Sequence, residues 1–504
     1  MDFLDPKKEK RSHMMLLLGY CLVALAIGIA TLVLLYQSYG YDIDRRGKVT
    51  QNGLVFVSSQ PSNASIYLNG KLYKSATDTR VSIPAGAYLL SVSKSGYRNW
   101  ERAITVNGGD VQHFDYPFLF PTSLKTDSIG TLQADPSVET QSPDKRWLLL
   151  GQSEKSGSFL QFDLKSPDKP VTSVFSLPDG SFTDGDATGA QTWTLVDWAA
   201  DNKHVLLLHS YVADGTATHE YVLVDRDTPA DSLNLTTSLK LTQTDELDLF
   251  NDRTSQYFVH DTSANTLSRV DAGTGAEVSK LTHIIAYKSY SDNKILYVTD
   301  QPPTGKVVAN QVNVVLQDGQ KIINLRAMPS GASSYALDLA QYSGDWYVAV
   351  GSTGTSSLFV YKNPQSQPIM AADGYPTPWR RLPVKNPSYI AFSSNTQYLL
   401  AENGNDFAVY DFENTLQYHY MVSQPLDNPQ THAKWMDGNR LEFVSGGKLV
   451  VFDYDYRNLQ TLVASNPAYL PAYSSDYSYL YTVRSPYDKA PQPTLSTTPL
   501  TIKP

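Results

Sequence analysis

The sequence predicts a mainly β protein carrying one N-terminal transmembrane helix, then a small β-sandwich, then a β-propeller of eight blades, with seven as the alternative count. Three observations predict it. Residues 14–36 form an apolar run of 23 positions without a charge. Tyr is over-represented, at 33 against 17 Phe and 7 Trp, and Tyr favours pleated, half-buried surfaces. Beyond Pro121 the chain repeats itself every 40–57 residues or so, the length of a four-stranded blade.

A length of 504 residues suits two or three domains with a large core. With 41% hydrophobic and 18% charged residues and a formal charge of −9, the chain is an ordinary folded one. That balance excludes non-specific nucleic-acid binding, which needs excess Lys and Arg. The single cysteine, Cys21, lies in the apolar run, so the body forms no disulfide or thiolate metal site, a composition compatible with an extracytoplasmic location.

Met14 to Tyr36 as a helix extends roughly 34 Å, enough for a hydrocarbon core of about 30 Å. The run is longer than the apolar region of a signal peptide, and Gln37-Ser38-Tyr39-Gly40-Tyr41 offers no small-x-small cleavage site. Lipoprotein processing at Cys21 is disfavoured by the bulky Tyr20 before it. Lys7, Lys8, Lys10 and Arg11 precede the span, while Arg45, Arg46 and Lys48 follow it. This bias places residues 1–13 in the cytoplasm and the C-terminal domains outside it.

Residues 37–52 are polar and aperiodic and read as a linker. From 53 to 118, short alternating runs are separated by turn residues. Asn69-Gly70 lies between two of them, and both residues tolerate the positive φ of a type I′ hairpin turn. Five or six such strands describe a small sandwich. Pro61 and Ala64, Asn69-Gly70-Lys71, Pro84-x-Gly86-x-Tyr88 and Gly96-Tyr97-x-x-Trp100 occur in the order that marks the PEGA domain. Ser62-Asn63 stands where that family carries Glu-Gly. The segment resembles that module of bacterial membrane-anchored and cell-surface proteins, which implies an architectural or binding role without catalytic residues. Tyr88, Tyr97 and Trp100 are expected to fill the sandwich core.

The repeat over 122–500 consists of a turn such as Ser142-Pro143-Asp144-Lys145, an apolar strand such as Trp147–Leu150, and a further strand ending in Asp, as in Phe162-Asp163. Equivalent turns fall at Asp201, Asp252, Ser291-Asp292, Gly344-Asp345, Ser394-Asn395, Asp437 and Ser475-Asp476. Such a unit buries its faces only by stacking on neighbours, and a closed ring removes free edges. Lys125–Leu132 is expected to supply the outer strand of the last blade. The turns and terminal Asp residues resemble WD40-like and TolB-like propeller repeats. An insertion over Gln301–Gln311 blurs the blade count.

Fold does not decide the activity of a propeller. The chain lacks G-x-S-x-G, H-E-x-x-H and G-x-x-x-x-G-K, and its nine His are scattered. No enzyme activity and no cofactor are expected. Asp179, Asp184 and Asp186 in a Gly-rich loop are candidates for a Ca²⁺ site, weighed against a merely solvated loop. Tyr375, Trp379, Arg380 and Arg381 on an irregular insertion have the composition of a binding hot spot, weighed against aromatics that plug a gap between blades. The expected function is a membrane-anchored extracytoplasmic binding or scaffold protein, partnered by the lipid bilayer through 14–36 and by an envelope protein or cell-wall polymer. Two alternatives stand: a propeller hydrolase of envelope glycans, favoured by a pocket of inward carboxylates with raised pKa values, and an envelope-assembly factor that pairs strands at an uncharged blade edge.

Overall fold

The computed structural model describes residues 6–38, 41–43, 49–153, 156–186, 189–290, 293–303, 308–366, 370–371, 374–484 and 492–502. One helix runs Pro6–Ser38. Its stretch His13–Tyr36, with a mean hydropathy of 2.5, is long and apolar enough to cross a membrane. Its described apolar side chains, from Met14 to Tyr36, are exposed. The chain divides into two compact units, one comprising the residues up to Ser123 together with Ile502 and the other spanning Leu124–Thr501.

In the first unit two four-stranded sheets form a sandwich. One sheet contains Val49–Val57 between Thr79–Pro84 and Val111–Phe114, with Tyr41–Ile43 added along the start of Val49–Val57. The other contains Lys71–Ala76, Ser65–Leu68, Gly86–Ser93 and Trp100–Val106 in that order. Asn69 and Gly70 join Ser65–Leu68 to Lys71–Ala76 at φ 50° and 75°, the expected type I′ geometry. Val55, Val57, Ile66, Val92, Trp100 and Val106 fill the interior. Tyr97 and Trp100 are buried as expected, whereas Tyr88 is half-buried and donates its hydroxyl to the Pro84 carbonyl at 2.8 Å.

The structure corrects the reading of the linker and the strand count. Residues 37–52 are not a plain linker: Tyr41–Ile43 pairs antiparallel with Val49–Gln51. The β-branched Val49 and Thr50 extend the following strand backwards, and pairing supplies the order that the local sequence does not advertise. The stretch read as five or six strands holds seven, and Tyr41–Ile43 is the eighth of the unit.

Among the described residues of the second unit, eight four-stranded antiparallel sheets follow one another along the chain. We call them blades one to eight. The eighth is completed by Asp127–Thr131, which pairs with Thr494–Pro499 as its outermost strand, as expected for Lys125–Leu132. Thr126 and Thr498 hydroxyls meet at 2.9 Å beside this closure. The core lies between blades. Val138, Leu149 and Phe159 of blade one pack on Trp193, Trp198 and Val205 of blade two, and Leu148, Leu150 and Phe162 pack on Tyr481, Val483 and Leu495 of blade eight.

The repeat residues build the turns. Ser142 Oγ accepts from the Trp147 amide at 2.9 Å and Asp144 Oδ1 from the Arg146 amide at 3.0 Å. Ser393 with Asn395, and Ser474 with Asp476, repeat the arrangement toward Tyr398 and Tyr479. The residue after each acceptor, Lys145, Thr396 or Tyr477, adopts positive φ. The Asp closing the third strand caps the next connection. Asp225 Oδ1 accepts from Asp227 and Thr228 amides, Asp271 Oδ1 from Gly273 and Thr274, and Asp411 Oδ1 from Glu413 and Asn414. These are Asx turns, so the repeat signature is turn chemistry rather than a functional motif. Ser291-Asp292 and residues 304–307 of the insertion lie outside the described residues.

Candidate functional site

The innermost strands of blades two to six are Thr192–Trp198, Asp245–Phe250, Ile284–Tyr290, Tyr335–Tyr342 and Tyr389–Phe392. Together they line a recess of about 790 Å³ whose wall includes Asp197, Asp248, Asp252, Asp338, Arg253, Tyr287, Lys288, Tyr290 and Phe392. Local irregularities aim these side chains. A register shift between Leu195 and Asp197 interrupts the ladder, and a bulge of this kind re-aims the residue that follows. Asn251 and Asp252, at φ 54° and 52°, make the tight turn that leads into Arg253. Asn and Asp suit that turn because their side chains tolerate left-handed backbone.

Burial pushes the Asp197 carboxyl up to about 7, aided by the charges of Asp252 and Asp248 and opposed by the Trp198 amide and Lys288. Burial likewise raises Asp338, against the pull of Lys288 and of the amides of Phe392 at 3.2 Å and Leu339 at 2.9 Å. The Tyr287 hydroxyl donates to Asp248 Oδ2 at 2.5 Å, joining blades three and four across the recess wall. Burial, followed by the Asp248 charge, drives the Tyr287 phenol well above its usual value. The recess therefore holds a carboxyl that is partly protonated near neutrality beside other acids and one ammonium. It can donate and accept hydrogen bonds from ligand hydroxyls and can attract cationic nitrogen.

The residues singled out from sequence lie elsewhere. Asp179 and Asp184 are exposed, while Asp186 accepts from the amides of Asp214 at 3.3 Å and Gly215 at 3.0 Å. The loop is fixed through Thr183, whose amide and hydroxyl both donate to Glu220 at 2.6 and 2.8 Å. No group of three or more His, Cys, Asp or Glu among the described residues could hold a metal ion. Asp186 thus serves a turn of blade two.

Trp379 packs against Tyr347, Tyr410 and Phe412 at the junction of blades five and six. The Tyr375 hydroxyl donates to Asn313 Oδ1 at 2.8 Å. Arg380 lies 4.4 Å over the Trp379 ring and donates to the Tyr410 hydroxyl at 3.2 Å, and Arg381 lies 5.5 Å from the Phe359 ring centroid. Trp379 fills an inter-blade gap, Tyr375 bonds across to the third strand of blade four, and none of the four lines the recess. Sequence reasoning missed Asp197, Asp248 and Asp338 because they stand roughly 50–90 residues apart, one per blade. Their one signal is an Asp flanked by apolar residues within an inner strand, as in Val196-Asp197-Trp198, Leu247-Asp248-Leu249 and Leu337-Asp338-Leu339.

Residues 52–119 match the family model of the PEGA domain. No curated protein matches the chain. Among solved structures, the chain is similar to dihydro-heme d1 dehydrogenase NirN in complex with DHE, at 13% identity and a TM-score of 0.38 over 66% of each chain. It is similar to Kluyveromyces lactis Hsv2 at 12% identity and a TM-score of 0.39, over 66% of this chain and 98% of that one. Oligogalacturonate lyase in complex with manganese shares 11% identity at a TM-score of 0.37, over 75% of this chain and 98% of the lyase. Likeness at these identities carries no activity to the chain. By sequence the chain contains a PEGA domain, and by its fold that domain is followed by a β-propeller with eight blades among the described residues.

Proposed function

We propose that the chain is a membrane-anchored binding protein of a bacterial cell envelope, with its PEGA domain and propeller outside the cytoplasm. Its ligand is an envelope protein or cell-wall polymer presenting hydroxyl and cationic groups, and the recess takes it. The observation that supports this reading is the convergence of Asp197, Asp248, Asp252, Asp338 and Lys288 on one cavity of about 790 Å³. Ligand sites are concave and carry a few converging polar groups.

The test is capture from envelope extract by full-length protein in detergent micelles, run beside an Asp197→Asn, Asp338→Asn double variant. The expected result is that one protein or glycan species is retained by the native chain and lost from the variant. Equal retention by both removes the recess from the reading.

A second reading is favoured by one observation, the Asp197 carboxyl raised to about 7. A proton donor poised near neutrality beside ionisable neighbours is the equipment of a glycan hydrolase. Release of reducing ends from envelope glycan by the native chain, abolished by Asp197→Asn, identifies that activity.

A further inference from the structure

A blade ends in an outer strand whose far edge has no neighbour in its own sheet, and proteins usually block such edges with charge, brevity or cover. Among the described residues most blades do so. Blade two ends in the two-residue Leu233–Asn234, followed directly by the helix Leu235–Leu239. The outer strands of blades three, four and five carry Glu277 and Lys280, Lys321 and Arg326, and Arg380 and Arg381. Blade six carries His419, paired with Asp406 at 2.7 Å, and blade eight carries Asp127 with a register break. Gln460–Ala464 of blade seven is uncharged, but it is largely half-buried and its pairing shifts register.

Blade one is different. Its outer strand is Val171–Ser176, VTSVFS, uncharged over six residues and exposed at all but Phe175. Val171 and Val174 are 67% and 60% exposed. The strand pairs in unbroken register with Ser158–Asp163. Leu177 donates its amide to the Gly157 carbonyl at 2.8 Å, which sets the phase of the ladder. Antiparallel pairs alternate between bonded and non-bonded, so Phe175, Ser173 and Val171 direct their backbone groups inward. Thr172, Val174 and Ser176 direct theirs outward. Three amides and three carbonyls are thus presented along one straight edge of about 20 Å, bounded by Pro170 and Pro178.

We propose that Val171–Ser176 is a strand-accepting edge that binds an uncharged, β-branched extended segment of a partner protein. The chemistry of the edge selects the occupant. Outward amides and carbonyls at alternate residues are satisfied together only by another extended backbone. Val171 beside Phe175 on one face, and Thr172 beside Val174 on the other, favour apolar or hydroxyl side chains over charged ones, which would lose water here without a counter-charge. The site lies outside the recess and does not depend on the reading given above.

The probe is a fluorescent heptapeptide, Thr-Val-Thr-Ile-Thr-Val-Thr, titrated by anisotropy against full-length protein in micelles. Two variants test the edge. Val174→Pro removes an outward amide while sparing the inward ladder, and Val174→Lys installs a charge. Thermal unfolding identical to the native chain shows that each is folded. The proposal expects binding to the native chain, at least about tenfold weaker binding to both variants, and loss when the peptide's alternate amides are N-methylated. Equal binding to native and Val174→Pro chains, or undiminished binding of the N-methylated peptide, overturns it. So does no binding up to about 1 mM peptide. Sedimentation that shows a native dimer abolished by Val174→Pro, without peptide binding, assigns the edge to a second copy and likewise overturns it.

Discussion

The side-chain amide of Gln141 pairs with the backbone of Tyr473 on both sides: its Nε2 donates to the Tyr473 carbonyl at 2.7 Å, and its Oε1 accepts from the Tyr473 amide at 3.2 Å. Gln141 lies on the innermost strand of blade one and Tyr473 on that of blade eight. One side chain thus does at the seam what a strand does inside a blade. Replacing it with Leu leaves a buried amide and carbonyl unpaired, so Gln141→Leu should cost about 2–3 kcal/mol. Urea unfolding followed by Trp fluorescence measures the loss.

Tyr473 also meets, from blade seven, a carboxyl that resists ionisation. Burial raises Glu442 to about 8, helped by Asp437 and opposed by the hydrogen bond from the Tyr473 hydroxyl and by the Lys145 charge. A carboxyl raised in the fold contributes most below its unfolded value, near pH 4.5, and that contribution is lost as pH rises toward 8. Glu442→Gln keeps an acceptor for Tyr473 and cannot ionise. It should therefore unfold at higher temperature than the native chain at pH 8, with a gain of a few kcal/mol at roughly 1.4 kcal/mol per pKa unit. The two melting curves should converge at pH 4.5.

Glu220 behaves in the opposite sense. Burial opposes its ionisation, but hydrogen bonds from His209, Thr183 and Asn234 outweigh burial and lower its pKa. Its stabilisation is present above the usual carboxylate range and is lost as pH falls through the lowered value. Glu220→Gln should cost about 2 kcal/mol at pH 7, and less as the native residue itself protonates. Proteolysis near residues 179–186, which Glu220 tethers through Thr183, should accelerate in the variant.

The PEGA domain has its own single point of failure. Trp100 is 1% exposed and packs edge-on to Tyr116 at 5.6 Å and against Phe114 at 6.3 Å. Trp100→Ala should remove about 3–5 kcal/mol, enough to unfold a unit of this size. Calorimetry should then show the propeller transition intact and the smaller one gone.

Sequence reading succeeded where the physics is local. Asn69-Gly70 dictates a hairpin by itself, and Ser142 with Asp144 ties its own turn within five residues. Eight such punctuations, with Lys125–Leu132 read as the closing strand, were enough to describe the ring. It fell short where order comes from pairing. Tyr41–Ile43 is a strand because Val49–Gln51 lies alongside, and nothing within YDI says so. For Trp379 and Arg380, the composition is the same whether aromatics face a partner or fill a gap, and the packing of Trp379 on Tyr347, Tyr410 and Phe412 is visible only in the fold. The recess is the extreme case: Asp197, Asp248 and Asp338 gain their character from burial and from one another.

Pairing of Asp127–Thr131 with Thr494–Pro499 also sets a schedule. During synthesis the chain grows from its N-terminus, so the first of these strands emerges before any blade and must wait for the last residues of the ring. Until position 499 is out, Asp127–Thr131 lacks the strand it pairs with, and the cluster of Phe162 and Tyr481 lacks Leu495. A chain that stopped short of residue 494 would leave Asp127–Thr131 without its partner strand, so closure of the circle waits on the last strand to be made.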